Sequence, residues 1–342
     1  MKYIYLGGFP PPFGGVTVKN KLLFKRLSNY IEIKQSGFYK RNKSIILRVI
    51  SLIIELFSRR KGLIIGVSKD SLKILTYILY YINRKTMKKS IVMVMGGTFH
   101  QMVMGDNKLQ KFLLEYKHIY TETYIMKRAL NSVGISNVSV FPNSRERTNI
   151  SLSFLSESQR IRCLFFSKIS TEKGVDNILY MTKILENKGI KYSVDFYGEI
   201  ISEYKMDFEA ALDMNNNLHY HGIFNAVDSN ELYKKLNSYD VLLFPTKWKN
   251  EGVPGVLIEA KIAGLPSIVS DINFNSEIIE NNRTGIVLKQ NSPMELANAI
   301  EKLYTDRELL VKMKQNAKVS SENFIIDNYI EDIVSCLKQP IK

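Results

Sequence analysis

Glu251 and Glu259 stand with seven residues between them, and Gly252-Val253-Pro254-Gly255 lies inside that interval. Ionised carboxylates only accept hydrogen bonds, so hydroxyl groups are natural partners for such a pair. Gly252 and Gly255 let the backbone approach a ligand closely. Pro254 suits the first turn of a helix, where its missing N–H costs nothing. The free N–H groups at such a helix start form an anion site. The combination suits a polyhydroxylated ligand that carries phosphate.

A helix start of this kind needs a strand behind it. The apolar run 241–244 precedes the segment, and open α/β sheets bind ligands beyond the carboxyl ends of their strands. The same alternation runs through the whole chain. Apolar runs at 3–6, 63–67, 91–95, 119–121 and 138–141 read as buried parallel strands, with helices predicted at 16–28, 45–59, 71–83 and 122–133. Strands follow at 163–166, 193–197, 218–221, 241–244, 267–269 and 285–288, separated by helices at 175–187, 229–238, 255–263, 293–304 and 306–322. Two series of alternating strands and helices imply an α/β protein with two doubly wound, Rossmann-like domains. Their polar junction falls in 143–160, giving a first domain at 1–155 and a second at 156–323. A last helix, about 324–342, is expected to pack back on the first domain.

The 342 residues are 45% hydrophobic and 24% charged, the composition of a globular chain. The charge is uneven. Residues 1–160 hold 27 Lys and Arg against 8 Asp and Glu, a net +19, whereas 161–342 hold 21 against 25, a net −4. A strongly basic half suits a phosphate-rich surface, an anionic membrane or nucleic acid. Cys163 and Cys336 are far apart and lack metal-ligand spacing, which fits a reducing cytoplasm. The first residues lack the long apolar stretch and small-residue cleavage site of a signal peptide, and no run of 18 apolar residues occurs, so neither a signal peptide nor a transmembrane helix is expected. The apolar stretch 45–57 runs up to Arg59-Arg60-Lys61, and the stretch 71–82 up to Arg84-Lys85 and Lys88-Lys89. These read either as buried helices with basic ends or as segments that dock on an anionic membrane, where each basic residue adds about 1 kcal/mol.

At this point the residues carry a resemblance. The stretch EGVPGVLIEAKIAGLPSIVSD, with its Glu-x7-Glu spacing, resembles the donor-site signature of retaining glycosyltransferase family 4, and the similarity runs through most of 161–322. Thr171-Glu172-Lys173-Gly174-Val175-Asp176 and Asn282-Arg283-Thr284-Gly285 resemble two further turns of that family. In the first half, Gly14-Gly15-Val16, Gly96-Gly97-Thr98-Phe99-His100 and Pro142-Asn143 resemble its glycine loop, its glycine–histidine loop and a third turn.

The resemblance implies a GT-B fold, two Rossmann-like domains facing across a cleft, and a role for each matched residue. Glu251 contacts donor-sugar hydroxyls and Glu259 holds the nucleotide ribose. Gly252, Val253, Pro254 and Gly255 present backbone to the sugar, while Gly14 and Gly15 approach the diphosphate. Lys173 neutralises phosphate, and His100 bonds the donor sugar near the reaction centre. One position departs: the family carries Gly-Arg where Ser167-Lys168 stands, and Lys168 is a point charge without the arginine fork.

The implied reaction moves a sugar from a nucleotide diphosphate to a hydroxyl with retention. Glu251 and His100 stand nearest the chemistry, and no nucleophile is assigned. No Asp-x-Asp triplet occurs, so no metal cofactor is expected and fixed positive charge serves instead. A lipid-linked intermediate of bacterial surface polysaccharide is the expected acceptor. That places the chain in the cytoplasm, peripheral on the inner face of the membrane. A soluble acceptor, glucan or small metabolite, is the rival enzyme reading. Nucleic-acid binding finds no helix-turn-helix, RNP or zinc-finger signature.

Overall fold

The computed structural model describes residues 2–11, 14–39, 44–57, 62–154 and 159–340. The chain divides into two compact units, 1–147 with 325–342, and 148–324. Among the described residues each unit holds a six-stranded sheet in which every strand pair is parallel.

In unit 1 the strands are β1 (Tyr3–Leu6), β2 (Ile33–Gln35), β3 (Leu63–Ile65), β4 (Ile91–Met93), β5 (His118–Thr121) and β6 (Val138–Val140), in the order β2-β1-β3-β4-β5-β6. The helices are α1 (Gly15–Leu27), α2 (Ile45–Phe57), α3 (Lys69–Ile82), α4 (Arg84–Met87), α5 (Phe99–Met104), α6 (Asn107–Leu113) and α7 (Tyr124–Ser132). The chain leaves β1 towards β2 and then returns to β3 on the other side, so the switch point lies between β1 and β3. The last helix of the chain, packed into the core of this unit, completes it at its far end: Ile330, Ile333 and Leu337 are buried against Tyr3, Ile64 and Ile91, and the Tyr3 hydroxyl donates to the Leu337 carbonyl at 2.8 Å. Burial of one such side chain contributes about 1.5–3 kcal/mol.

Unit 2 contains β7 (Ile161–Phe166), β8 (Tyr192–Tyr197), β9 (Leu218–Tyr220), β10 (Val241–Phe244), β11 (Ser267–Ser270) and β12 (Gly285–Leu288), in the order β12-β11-β10-β7-β8-β9. Its helices are α8 (Val175–Asn187), α9 (Lys205–Met214), α10 (Ser229–Asn237), α11 (Gly255–Ile262), α12 (Asn275–Ile278), α13 (Pro293–Thr305) and α14 (Arg307–Ser320); α15 (Asp327–Lys338) is the helix returned to unit 1. Here the switch point lies between β7 and β10. Val241–Phe244 is buried at all four positions, as a strand flanked by β7 and β11 and covered on both faces must be.

Short, polar or peripheral elements escape periodicity. β2 reads Ile-Lys-Gln at the sheet edge, and α9 buries Phe208 alone. The stretch 45–57 does form a helix, but not a buried one. Only Glu55 and Leu56 of α2 are buried, while Ile45, Ile46, Leu47, Val49, Ile50, Ile53, Ile54 and Phe57 are all exposed. α3 is amphipathic, burying Leu72, Leu75, Thr76 and Leu79 and exposing Ile74, Tyr81 and Ile82. Arg59-Arg60-Lys61 and residues 155–158 of the expected junction lie outside the described residues. Among the described residues no helix is long and apolar enough to cross a membrane.

Candidate functional site

The loops after β7 and β10 meet at the switch point of unit 2, and hydrogen bonds hold them there. The Ser170 hydroxyl caps the turn Thr171–Lys173, accepting from the Lys173 N–H at 3.3 Å. Gly174 follows with φ of +77°; a Cβ there would meet the Pro245 carbonyl oxygen at 2.0 Å. Only glycine permits both that backbone and that approach. The Lys247 N–H donates to the Glu172 carbonyl at 2.8 Å, and the Trp248 N–H to the Thr246 hydroxyl at 3.2 Å. From the neighbouring strands, the Ser270 hydroxyl donates to the Thr246 carbonyl at 2.6 Å and the Asn291 side chain to that of Pro245 at 3.0 Å.

This scaffold brings Lys173 and Glu251 together. Their ammonium and carboxylate form an ion pair, with side chains 18% and 21% exposed, at the mouth of the loop. Lys247 pairs with Asp176 nearby. Pro254 is the N-cap of α11 and Gly255 its first residue, with Val253 and Pro254 buried and Gly252 and Gly255 half-buried. Glu259 lies one turn inside, half-buried. Two residues further, Lys261 is buried and donates to the Ser320 hydroxyl at 2.8 Å, tying α11 to α14; burial pushes its ammonium down to about 8. Lys168 stands apart from this cluster. It is exposed and faces Glu199, beyond β8, at 3.9 Å.

In unit 1, Gly14 caps α1 and Gly15 opens it, at the β1–β3 switch point. A Cβ on either would meet nothing within 4 Å, so packing does not demand glycine at either position. His100 is the second residue of α5, half-buried, and burial lowers its pKa against an opposing hydrogen bond with the Gly97 backbone. The imidazole is therefore neutral near pH 7. Beside it, Lys69 donates to the Thr98 hydroxyl at 2.8 Å.

Sequence reading did not single out Thr246, Ser270 or Asn291, nor the Lys247–Asp176 pair. Asn291 carried one usable signal: it precedes Ser292-Pro293, a helix start, and its φ of +48° is a conformation that Asn tolerates better than most residues. A buried ion pair was also missed. Lys19 of α1 meets Glu122, just beyond β5, at 2.8 Å, with side chains 4% and 7% exposed. Among the described residues no cluster of three or more His, Cys, Asp or Glu is placed to hold a metal ion.

Residues 146–320, just over half of the chain, match the model of the family Glycosyl transferases group 1. The chain belongs to that family. This group 1 chain is 29% identical over 163 residues to a UDP-Gal:alpha-D-GlcNAc-diphosphoundecaprenol alpha-1,3-galactosyltransferase of Escherichia coli, covering 44% of the chain and 40% of the relative. It is 26% identical over 159 residues to the capsular polysaccharide biosynthesis glycosyltransferase CapM of Staphylococcus aureus, covering 46% and 40%. The matches thus span about two fifths of the length of these curated relatives. Among solved structures, Anabaena HepE in complex with UDP superposes with a TM-score of 0.70 at 13% identity, over 98% of this chain and 99% of that one. That likeness shows the fold, the two-domain α/β architecture of GT-B enzymes.

Proposed function

We propose that this group 1 chain, within family 4, transfers a sugar from a nucleotide diphosphate sugar to a hydroxyl of a lipid-linked intermediate of bacterial surface polysaccharide. The observation that carries the reading is the Lys173–Glu251 pair beside the glycine-rich start of α11, at the carboxyl edge of the unit 2 sheet. In the transfer the bond from the anomeric carbon to the diphosphate breaks, a bond to the acceptor oxygen forms, and that hydroxyl gives up its proton to the departing diphosphate. Charge grows on the departing diphosphate, where Lys173 and the N–H groups of Gly252, Val253 and Gly255 stabilise it, and Lys168 joins them on leaving Glu199. Glu251 accepts hydrogen bonds from the sugar hydroxyls and Glu259 from the ribose. In unit 1, Gly14 and Gly15 bring the start of α1 up to phosphate, the Gly14 N–H itself donating to the Thr17 hydroxyl at 3.1 Å, and neutral His100 bonds a sugar hydroxyl. The anomeric configuration is retained, and no metal takes part.

The acceptor assignment draws support from the E. coli relative, whose name prints a diphosphoundecaprenol-linked acceptor, and from CapM. A UDP-bound solved relative favours a nucleoside diphosphate. The net +19 of residues 1–160 and the exposed apolar face of α2 support peripheral attachment to the inner face of an anionic membrane.

Thermal unfolding with UDP-, GDP-, ADP- and CMP-sugars tests the donor. One nucleotide class should raise the melting temperature by mass action. Transfer in excess EDTA, followed by NMR of the new anomeric centre, tests metal independence and retention. No stabilisation by any nucleotide sugar would overturn the reading; strict dependence on added manganese or magnesium would overturn its leaving-group chemistry.

A further inference from the structure

A groove between α2 and α3 runs inward to the switch point of unit 1; α2 gives it only the half-buried Leu52, next in sequence to the exposed Ile53. Phe38 and Tyr39, Leu52 of α2, and Ile74, Leu75 and Ile78 of α3 line it, with Leu6 and Val67 at its inner end. Apart from Ser71 and the Tyr39 hydroxyl, every lining side chain is apolar. The volume is about 190 Å³. That is less than the roughly 300–1,000 Å³ of pockets that enclose a whole ligand, so the groove takes a section of something longer.

The two ends of the groove differ. The outer end opens at Ile74, which is exposed. The inner end meets polar backbone. Leu6 is the last residue of β1, and Tyr39 lies against Gly8: a Cβ on Gly8 would sit 3.6 Å from the Tyr39 ring and 3.8 Å from the Thr17 methyl in the first turn of α1. The groove thus ends at the helix whose glycine start, Gly14-Gly15, faces open space. Cations flank this end. The Arg48 Nε donates to the Phe38 carbonyl at 2.6 Å, and Lys69 reaches the Thr98 hydroxyl at 2.8 Å.

We infer that this groove binds the hydrocarbon chain of the lipid-linked acceptor, next to its phosphate, and so carries the acceptor from the bilayer to the carboxyl edge of the unit 1 sheet. The occupant follows from the order of materials: an apolar helix face, an apolar groove, then cations and the start of a helix at Gly15. An amphiphile with a long chain and an anionic head matches that order from end to end. A free metabolite leaves the groove empty, and a bulk phospholipid has no need of the inner end. This inference rests on the lipid-linked reading above.

The probe is farnesyl phosphate, kept below its micellar concentration and titrated calorimetrically into the full chain, with inorganic diphosphate as the control for the head alone. Saturable binding of one equivalent is expected, at least tenfold tighter than diphosphate. Ser71→Trp, a substitution at an exposed position that fills the groove, should weaken farnesyl phosphate binding at least tenfold; Ile74→Asp, also exposed, should do the same. Both should melt near the wild-type temperature. Ile46→Ser, Ile50→Ser and Ile54→Ser together should lower binding to phosphatidylglycerol vesicles and leave farnesyl phosphate affinity within about twofold. The inference falls if the wild type shows no saturable binding, or if Ser71→Trp and Ile74→Asp both bind as tightly as wild type. Binding of farnesyl phosphate by a chain that transfers no sugar would overturn the proposed function and leave the groove standing.

Discussion

At the switch point of unit 2 the loops after β7 and β10 are laced together by backbone and side-chain hydrogen bonds, while the cation they present faces outward on Glu251. At the switch point of unit 1 the charge is turned inward. Lys19 and Glu122 are paired and buried, and the Asn20 side chain beside them accepts from the Tyr5 hydroxyl and donates to the Gly8 and Gly66 carbonyls. Unit 2 has a buried charge cluster too, but at the other edge of its sheet. Asp240, before β10, is fully buried against Lys314 at 3.1 Å and Arg162 at 3.4 Å. The two units put their structural charges at opposite ends. In unit 2 this leaves the carboxyl edge stocked with half-exposed, reassignable charge. In unit 1 it makes the carboxyl edge a rigid base for open glycines and an apolar groove.

The sharpest way to break this comparison is to remove one partner of each pair. Glu122→Ala leaves the Lys19 ammonium buried and alone, a loss of about 3–5 kcal/mol. At roughly 2–4 °C per kcal/mol for a unit of this size, unit 1 should melt roughly 6–20 °C lower. The double change Lys19→Met with Glu122→Leu should recover much of that. A single variant that melts like the wild type would mean the pair is not structural. Lys173→Met at the other switch point should leave the melting temperature nearly unchanged and cut kcat about 10²–10³-fold, the typical result of removing one stabiliser of developing charge. A comparable loss of stability would show that unit 2 also spends its edge charge on folding.

A smaller effect separates the two glutamates. Glu259→Ala removes a charge-assisted bond to the ribose worth about 1.5–3 kcal/mol, so nucleotide affinity should fall roughly tenfold to 150-fold. Glu251→Gln releases Lys173 instead. The variant should lose transfer yet bind the nucleoside diphosphate alone at least as tightly as wild type. Equal weakening by both substitutions, measured calorimetrically with diphosphate and with diphosphate sugar, would erase the distinction between a ribose ligand and a sugar ligand.

What was legible in the sequence follows the same division. In unit 2 the chemistry is local: Glu251, Pro254, Gly255 and Glu259 stand within nine residues, and the strand before them is uniformly apolar, so motif and element could be read together. The hydrogen bonds that aim the loop were not legible, because Thr246, Ser270 and Asn291 meet only after three strands have been set side by side. In unit 1 the decisive pair is 103 residues apart in sequence, and nothing marks Lys19 or Glu122 among so many charges. α3 was legible as a helix, but its division into a buried face (Leu72, Leu75, Thr76, Leu79) and an exposed one (Ile74, Tyr81, Ile82) was not read from the sequence. The outward direction of α2 was not legible either, since its polar stripe of Arg48, Ser51 and Glu55 turns towards the protein, where Arg48 bonds Phe38 and Glu55 bonds Ser36 and Gly37, and its apolar face lies outward, the reverse of the usual arrangement.

The least of the expected effects distinguishes the units by acid. Burial holds His100 below its ordinary pKa, and burial with the Lys127 charge does the same for His118; both belong to unit 1. Unfolded, each imidazole titrates near the reference value of about 6.5. Below that pH the unfolded chain takes up protons that the folded chain refuses, so stability falls as pH falls. The loss begins near pH 7, grows until the folded-state pKa is reached, and stays constant beneath it. The contribution of these two residues is thus fully present above about pH 7 and is lost on the acid side. Unit 1 should therefore soften first between about pH 7 and 5, read by hydrogen exchange resolved along the chain. Replacing both histidines with Gln should flatten that pH dependence in unit 1 and leave exchange in unit 2 as it was. Acid softening that begins in unit 2, or survives the double replacement, would place the sensitive groups elsewhere.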